Sequence, residues 1–202
     1  ERFQRLAAVD PLTGAYNRRF GLARLNEEFA RAVRGPGLLG LLAFDLDHFK
    51  AINDTHGHLV GDRVLKEVVG AARIALREGD VLIRTGGEEF VALLPGAGME
   101  DMRSIGERIR RAVGGLAVRA GAGEVRVTVS LGGVAFPDCR VESTEGLLEV
   151  ADQALYASKE GGRDRLTVVA RPGLADLPLA GWASCAHSNG SPLPLLEHLV
   201  EE

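Results

Sequence analysis

Two short apolar runs, Val81-Leu82-Ile83 and Phe90-Val91-Ala92-Leu93-Leu94, flank the segment Arg84-Thr85-Gly86-Gly87-Glu88-Glu89. This pattern constrains the chain to an antiparallel hairpin. The runs read as strands, and the glycine pair supplies the positive φ of a tight turn. Glycines also let a ligand approach the backbone closely. On its own an acidic hairpin tip is commonly just solvated.

A second acidic strand end changes that weighting. Leu38-Leu39-Gly40-Leu41-Leu42-Ala43-Phe44, behind the breaker Gly35-Pro36-Gly37, is too short to span a membrane and suits a strand buried on both faces. It ends in Asp45-Leu46-Asp47, and a period of two puts both aspartates on one side. Carboxylates gathered from two strand ends repel by about 4 kcal/mol per pair at roughly 4 Å and an effective dielectric near 20 unless a cation compensates them. Hard oxygen donors, with room left for phosphate and water, favour Mg²⁺ or Mn²⁺ over zinc. The plain alternative is that Asp45 or Asp47 caps the following helix.

The element order narrows the architecture. A helix is expected over Asn17 to Arg34, with Phe20, Leu22, Leu25, Phe29 and Val33 as its apolar stripe, and another over His58 to Leu76. A third long helix covers Met99 to Val113. Val125 to Ala135 reads as a strand pair or one bent strand, with Gly132-Gly133 allowing close approach or a bulge. Ser143 or Thr144 caps a helix reaching Gly161-Gly162, and Leu166 to Ala170 closes the set. The order helix, strand, helix, helix, strand, strand, helix, strand, helix, strand implies an α+β fold with helices over a central, mainly antiparallel sheet. With 202 residues, 46% hydrophobic and 26% charged, the chain has ample material for a core. A net charge of −4 gives no electrostatic footprint for a nucleic-acid polymer. Cys139 and Cys185 match neither a zinc site nor a disulfide framework, so a reducing cytoplasm is expected.

The segment Phe44-Asp45-Leu46-Asp47-His48-Phe49-Lys50-Ala51-Ile52-Asn53-Asp54-Thr55-His56-Gly57-His58, followed by Gly61-Asp62 and the Gly-Gly-Glu-Glu-Phe turn, resembles the GGDEF domain of diguanylate cyclases. Asp10-Pro11-Leu12-Thr13-Gly14 resembles the family's entry signature, and Ala151-Asp152-Gln153-Ala154-Leu155-Tyr156 through Arg163 its late helix. Ordered motifs at family spacing over Asp10 to Val169 carry the likeness. It implies a palm-like, ferredoxin-related fold that condenses two GTP into cyclic di-GMP.

The resemblance also implies roles. Asp45, the carbonyl of Leu46, Glu88 and Glu89 would hold one or two divalent cations, and Glu88 either serves as ligand or helps deprotonate the attacking hydroxyl. Lys50, Lys159 and Arg163 would meet phosphates, Asn53 and Asp62 guanine, and Gly86 and Gly87 the nucleotide. Helix-dipole and capping duties are the plain alternatives for Asp62 and Asn53. His58 matches a family histidine without an assigned role. Arg77 and Asp80, with Arg108 from the next long helix, match an inhibitory site for the product. Because each domain presents one GTP, the chemistry implies an antiparallel homodimer of such domains. The alternative is a catalytically silent module that binds GTP or cyclic di-GMP.

Three regions follow: residues 1–9 as the end of an upstream signalling helix or linker, 10–170 as the cyclase domain, and 171–202 as a flexible tail or interdomain linker. Phe3, Leu6 and Val9 recur at three-residue spacing, while the tail is rich in Pro, Gly, Ser and Ala. Trp182, Cys185 and His187 receive no role. An upstream sensory domain is expected on the Glu1 side, the chain being the cytoplasmic part of a larger sensor protein.

Overall fold

The computed structural model describes residues 8–139 and 141–169. The expectations for Phe3, Leu6, Trp182, Cys185, His187 and the tail from 171 therefore lie outside the described residues. Strand β1 (Tyr16–Asn17) leads into helix α1 (Arg18–Arg34), then β2 (Leu39–Leu46), α2 (Phe49–His56), α3 (His58–Ala75), β3 (Val81–Gly86), β4 (Glu89–Pro95) and α4 (Met99–Gly114). A small hairpin, β5 (Val118–Ala120) and β6 (Gly123–Val125), precedes β7 (Val129–Phe136), α5 (Thr144–Glu160) and β8 (Leu166–Val169).

The main sheet has the order β1-β3-β4-β2-β7-β8. Its three inner pairings, β3 with β4, β4 with β2, and β2 with β7, are antiparallel, while β1 and β8 join the edges in parallel. Between β2 and β7 the chain runs strand, helices, strand, strand, helix, strand, with the spatial order β3-β4-β2-β7, which is the ferredoxin-like arrangement. The expected α+β architecture is therefore present, with helices on both faces of the sheet.

Alternation along β2 decides which layer each side chain meets. Leu42, Phe44 and Leu46 join the core formed with Val64, Val68, Met102 and Ile109 of α3 and α4. Leu39, Leu41 and Ala43 join Leu25 and Phe29 of α1 and Leu147 and Leu155 of α5. A strand sandwiched in this way needs apolar residues at every position, which explains the continuous run. Phe44 and Phe90, opposite one another in register, stack with ring centres 5.4 Å apart.

Some local expectations shift. Asn17 caps α1 from outside, its side chain accepting from the Phe20 N–H at 3.0 Å. Val33 is 56% exposed, because the buried stripe of α1 runs through Leu25, Phe29 and Ala32 and the next residue turns away from the sheet. Leu38 precedes β2 and is also exposed. Ser143 rather than Thr144 caps α5, accepting from the Gly146 N–H. Gly132 serves close approach and not a bulge: β7 pairs without a register break, and a Cβ at this position would lie 2.1 Å from the Leu155 backbone nitrogen. No helix of the described residues is long and apolar enough to cross a membrane.

Candidate active site

The strand register brings the two acidic strand ends together. Asp45, at the end of β2, is the direct cross-strand partner of Glu89 at the start of β4, and Ser130 of β7 flanks it on the other side. The alternation that packs Leu41 and Ala43 against α1 and α5 places Asp45 in the same row. Lys159, in the last turn of α5, reaches it there, with Nζ 3.2 Å from Asp45 Oδ1. Lys159 thus rests on a carboxylate, where the resemblance implies a phosphate contact.

Burial dominates the electrostatics. It lifts the Asp45 carboxyl to about 6, against the attraction of Lys159 and with added repulsion from Glu88 and Asp47. Glu89 is raised for the same reason, with Asp45 adding to burial, while Lys159 and Arg18 oppose the shift. Asp152 on α5, 4% exposed, is lifted to about 7 by burial and then by Glu89, with Lys159 opposing. Residue-type reasoning gave Asp152 no role. Its signal was present, since it lies seven residues before Lys159 and so on the same helical face.

At the hairpin tip, Gly86 pairs with Glu89 after a register shift at Thr85, so Gly87 and Glu88 form the turn. Of the glycine pair expected to supply the positive φ of the turn, Gly87 does so, at +42°. A Cβ at Gly87 would meet nothing within 4 Å, so this face of the turn is open to a ligand. The turn is fastened from behind by Arg84, whose Nε and Nη2 donate to the Gly87 carbonyl at 3.0 and 2.8 Å. The Glu88 carbonyl accepts weakly from the Leu46 N–H at 3.4 Å, tying hairpin to strand end. Thr85 Oγ1, at the irregularity, is buried without a partner.

Neither Asp45 nor Asp47 caps the next helix. His48, with a left-handed backbone, holds the N-cap position of α2 and offers no side-chain cap. Asp47 turns back instead, accepting from Thr128 Oγ1 and Ser130 Oγ at 2.7 Å each and from the Asp164 N–H at 3.1 Å. Lys50 stands exposed in the first turn of α2, and Arg163 is exposed in the turn after α5. His58 is the first residue of α3.

Asn53 and Asp62 lie on α2 and α3, beyond the end of β2. The Asn53 Oδ1 is buried and has no hydrogen-bond partner. Gly61 makes room for it: a Cβ there would lie 2.0 Å from that oxygen. A buried amide oxygen without a donor is costly and marks a place for a ligand N–H.

Arg77 and Asp80 sit at the other end of β3 from the hairpin turn, roughly 20 Å away at about 3.3 Å per strand residue. They bind each other, Arg77 Nε to Asp80 Oδ1 at 3.2 Å, and Arg77 also donates to the Pro95 carbonyl at 3.0 Å. Arg108 donates to the Ala75 carbonyl at 2.5 Å, so the three residues gather around the C-terminus of α3. A cleft of about 390 Å³ lined by Tyr16, Phe20, Arg24, Glu27 and Asp80 opens beside them and away from the acids.

The donor set at the hairpin suits a hard divalent cation. Asp45, Glu88 and Glu89 offer carboxylate oxygens, Leu46 follows Asp45 at the end of β2 with its N–H on the Glu88 carbonyl, and burial makes uncompensated charge at Asp45 and Glu89 unfavourable. Among the described residues no three such side chains converge on one point, so remaining ligands would be backbone, water or phosphate oxygens.

The model of the diguanylate cyclase GGDEF domain matches residues 7–165. The chain belongs to the GGDEF domain family. Diguanylate cyclase DgcP of Pseudomonas aeruginosa is 46% identical over 162 residues, which are 80% of this chain and 24% of that protein. Response regulator PleD of Caulobacter vibrioides is 39% identical over 161 residues, 79% of this chain and 35% of that protein. This GGDEF chain thus spans well under half the length of either curated relative. Among solved structures, diguanylate cyclase SiaD of P. aeruginosa, in complex with its activator SiaC, superposes with a TM-score of 0.78 at 41% identity, covering 83% of this chain and 64% of that one. The coiled coil and GGDEF domain of DgcB from Caulobacter crescentus, in complex with c-di-GMP, gives 0.77 at 34%, covering 83% and 88%.

Proposed function

We propose that this GGDEF chain is a diguanylate cyclase that condenses two GTP into cyclic di-GMP and releases two pyrophosphates. The carrying observation is the register pairing of Asp45 with Glu89, which sets a buried and a half-buried carboxylate side by side at the end of the sheet. The likeness to proteins named as diguanylate cyclases supports the same reading.

Asp45, Glu88, Glu89 and the Leu46 carbonyl would hold Mg²⁺ or Mn²⁺. When bound, the cation neutralises charge on the phosphates and on departing pyrophosphate. Asn53 Oδ1 would accept from the guanine exocyclic amine or N1–H, and Asp62 from the other, a donor pattern adenine lacks. Open backbone at Gly86 and Gly87 admits the nucleotide, while Lys50, Lys159 and Arg163 pair with phosphate oxygens. Glu88, where it is not a metal ligand, would receive the 3′-hydroxyl proton as that oxygen bonds to the α-phosphorus of the second GTP and the bond to pyrophosphate breaks. Two such domains, facing one another as a homodimer, would bring the two nucleotides together. Arg77, Asp80 and Arg108 would bind product as an inhibitory site, and a sensory domain before residue 1 would set how often the domains meet.

One observation favours a second reading. Lys159 lies 3.2 Å from Asp45 in place of the phosphate contact the cyclase reading gives it, an arrangement that a silent module binding GTP or cyclic di-GMP also accommodates. Incubation with GTP or ATP and Mg²⁺, followed by product identification, separates the two. Cyclic di-GMP from GTP alone, abolished by Asp45→Asn in a folded protein, is the expected result. Nucleotide recovered unchanged would leave the binding module.

A further inference from the structure

We propose that Asp47 and Arg110 are positioning residues for Arg163, clamping the turn that carries it from two sides. The inference rests on the reading that Arg163 meets nucleotide phosphate.

The turn after α5 is conformationally demanding. Arg163 and Asp164 both have left-handed backbones, with φ of 63° and 43°. Two consecutive non-glycine residues hold such angles only where the surroundings enforce them. The surroundings here are specific. The Arg163 N–H donates to the Ser158 carbonyl at 3.0 Å, and the Asp164 N–H to Asp47 Oδ2 at 3.1 Å. The Asp164 carboxylate is gripped by Arg110 of α4, Nη1 to Oδ1 at 2.8 Å, and Arg110 is itself oriented by Glu107 at 3.2 Å.

Asp47 is built for this duty. It is 4% exposed, its own N–H donates to the Thr128 carbonyl at 2.9 Å, and its carboxylate takes two hydroxyl donors from Thr128 and Ser130 besides the Asp164 N–H. A carboxylate so engaged is a charge-assisted anchor tying β7 and the turn to the end of β2. Only Leu46 separates it from Asp45. One strand end therefore fixes both the acids that would hold the cation and the loop that carries the phosphate-binding arginine. Placement of a guanidinium against phosphate depends on that rigidity.

The test is a binding cycle on the full chain with 3′-deoxy-GTP, which lacks the attacking hydroxyl, and with guanosine 5′-monophosphate, both measured calorimetrically with Mg²⁺. Arg163→Ala is expected to weaken 3′-deoxy-GTP about tenfold, the loss of one charge-assisted contact. Arg110→Ala should weaken it about fivefold while leaving the monophosphate within twofold, and Arg110→Lys should recover part of the loss. In the Arg163→Ala background, Arg110→Ala should add nothing, because the clamp then holds no contact. Asp47→Asn is expected to behave as Arg110→Ala does. If Asp47→Asn does not fold, the Arg110 variants decide alone. Equal weakening of both nucleotides, or effects that add with Arg163→Ala, would overturn the positioning role while leaving the phosphate reading of Arg163 intact. An Arg163→Ala variant that binds 3′-deoxy-GTP as the parent does would overturn both.

Discussion

Arg84 and Asp10, far apart in sequence, meet with Nη1 2.9 Å from Oδ1, and both side chains are more than four-fifths buried. The same guanidinium holds the Gly87 carbonyl, so one side chain links the entry segment to the tip of the acidic hairpin. Burial opposes the charge on Asp10, yet donors from Thr13 and Arg84 outweigh it and keep the carboxyl below its ordinary range. Removing Arg84 by Arg84→Ala leaves that charge without its partner and frees the turn. The expected cost is about 2 kcal/mol or more in urea denaturation, with a larger loss of turnover than of stability. An unchanged midpoint and unchanged turnover would show the link to be idle.

Gly61 is crowded by α2: a Cβ there would lie 2.0 Å from the Asn53 Oδ1 and 3.2 Å from Phe49 Cζ. In Gly61→Ala the new methyl would overlap that oxygen, and the asparagine must swing out of the position proposed for reading guanine. Gly61 is buried on α3 and the methyl would also press on Phe49 Cζ, so overpacking should outweigh the better helix propensity of alanine and lower stability by about 1 to 3 kcal/mol. GTP affinity should fall about tenfold or more, the equivalent of one lost base contact. Affinity within twofold of the parent, measured by calorimetry, would count against Asn53 as a base reader.

Asp152 and Asp45 give the metal-free protein a defined pH dependence. Burial holds them at about 7 and about 6, above the ordinary value of 3.8, so the folded state keeps protons that the unfolded chain releases. Their contribution to stability is full below about pH 4 and is lost as pH rises through 6 to 7. Asp152→Asn removes the larger share of this loss. Its Tm should exceed the parent's at pH 8 by about 4 °C, with the gap closing by pH 4. A gap of the same size at both pH values would contradict the assignment to burial.

Arg77→Ala addresses product inhibition. The variant breaks the pair with Asp80 and the contact to the Pro95 carbonyl, both far from the hairpin turn. Turnover should therefore continue to cyclic di-GMP levels at least tenfold above those at which the parent stalls, consistent with loss of a bidentate cationic contact. Stalling at the parent's level would remove the inhibitory role.

Much of the fold is legible in local pattern. The unbroken apolar run of β2 predicts a strand covered on both faces, and the paired glycines between apolar runs predict the β3–β4 hairpin, because alternation and turn chemistry act over a few residues. Val33 fits the α1 stripe by apolar type and approximate spacing, yet which face of the helix meets the sheet is decided by packing, and that face runs through Leu25, Phe29 and Ala32. The family motifs likewise name Asp45, Glu88, Asn53 and Asp62 without saying how they meet.

The sequence by itself determined which elements form and which donor groups are present: hard carboxylates at two strand ends, an amide and an acid on consecutive helices, and basic groups near the last helix. Only the tertiary structure decided the pairings. Register set Asp45 beside Glu89, Gly61 left the Asn53 oxygen unpartnered, Lys159 settled on Asp45, and Asp47 became an anchor for the Arg163 turn and not a helix cap. These are contacts between residues distant in sequence, and desolvation of the groups involved exists only once the helices have closed over both faces of the sheet.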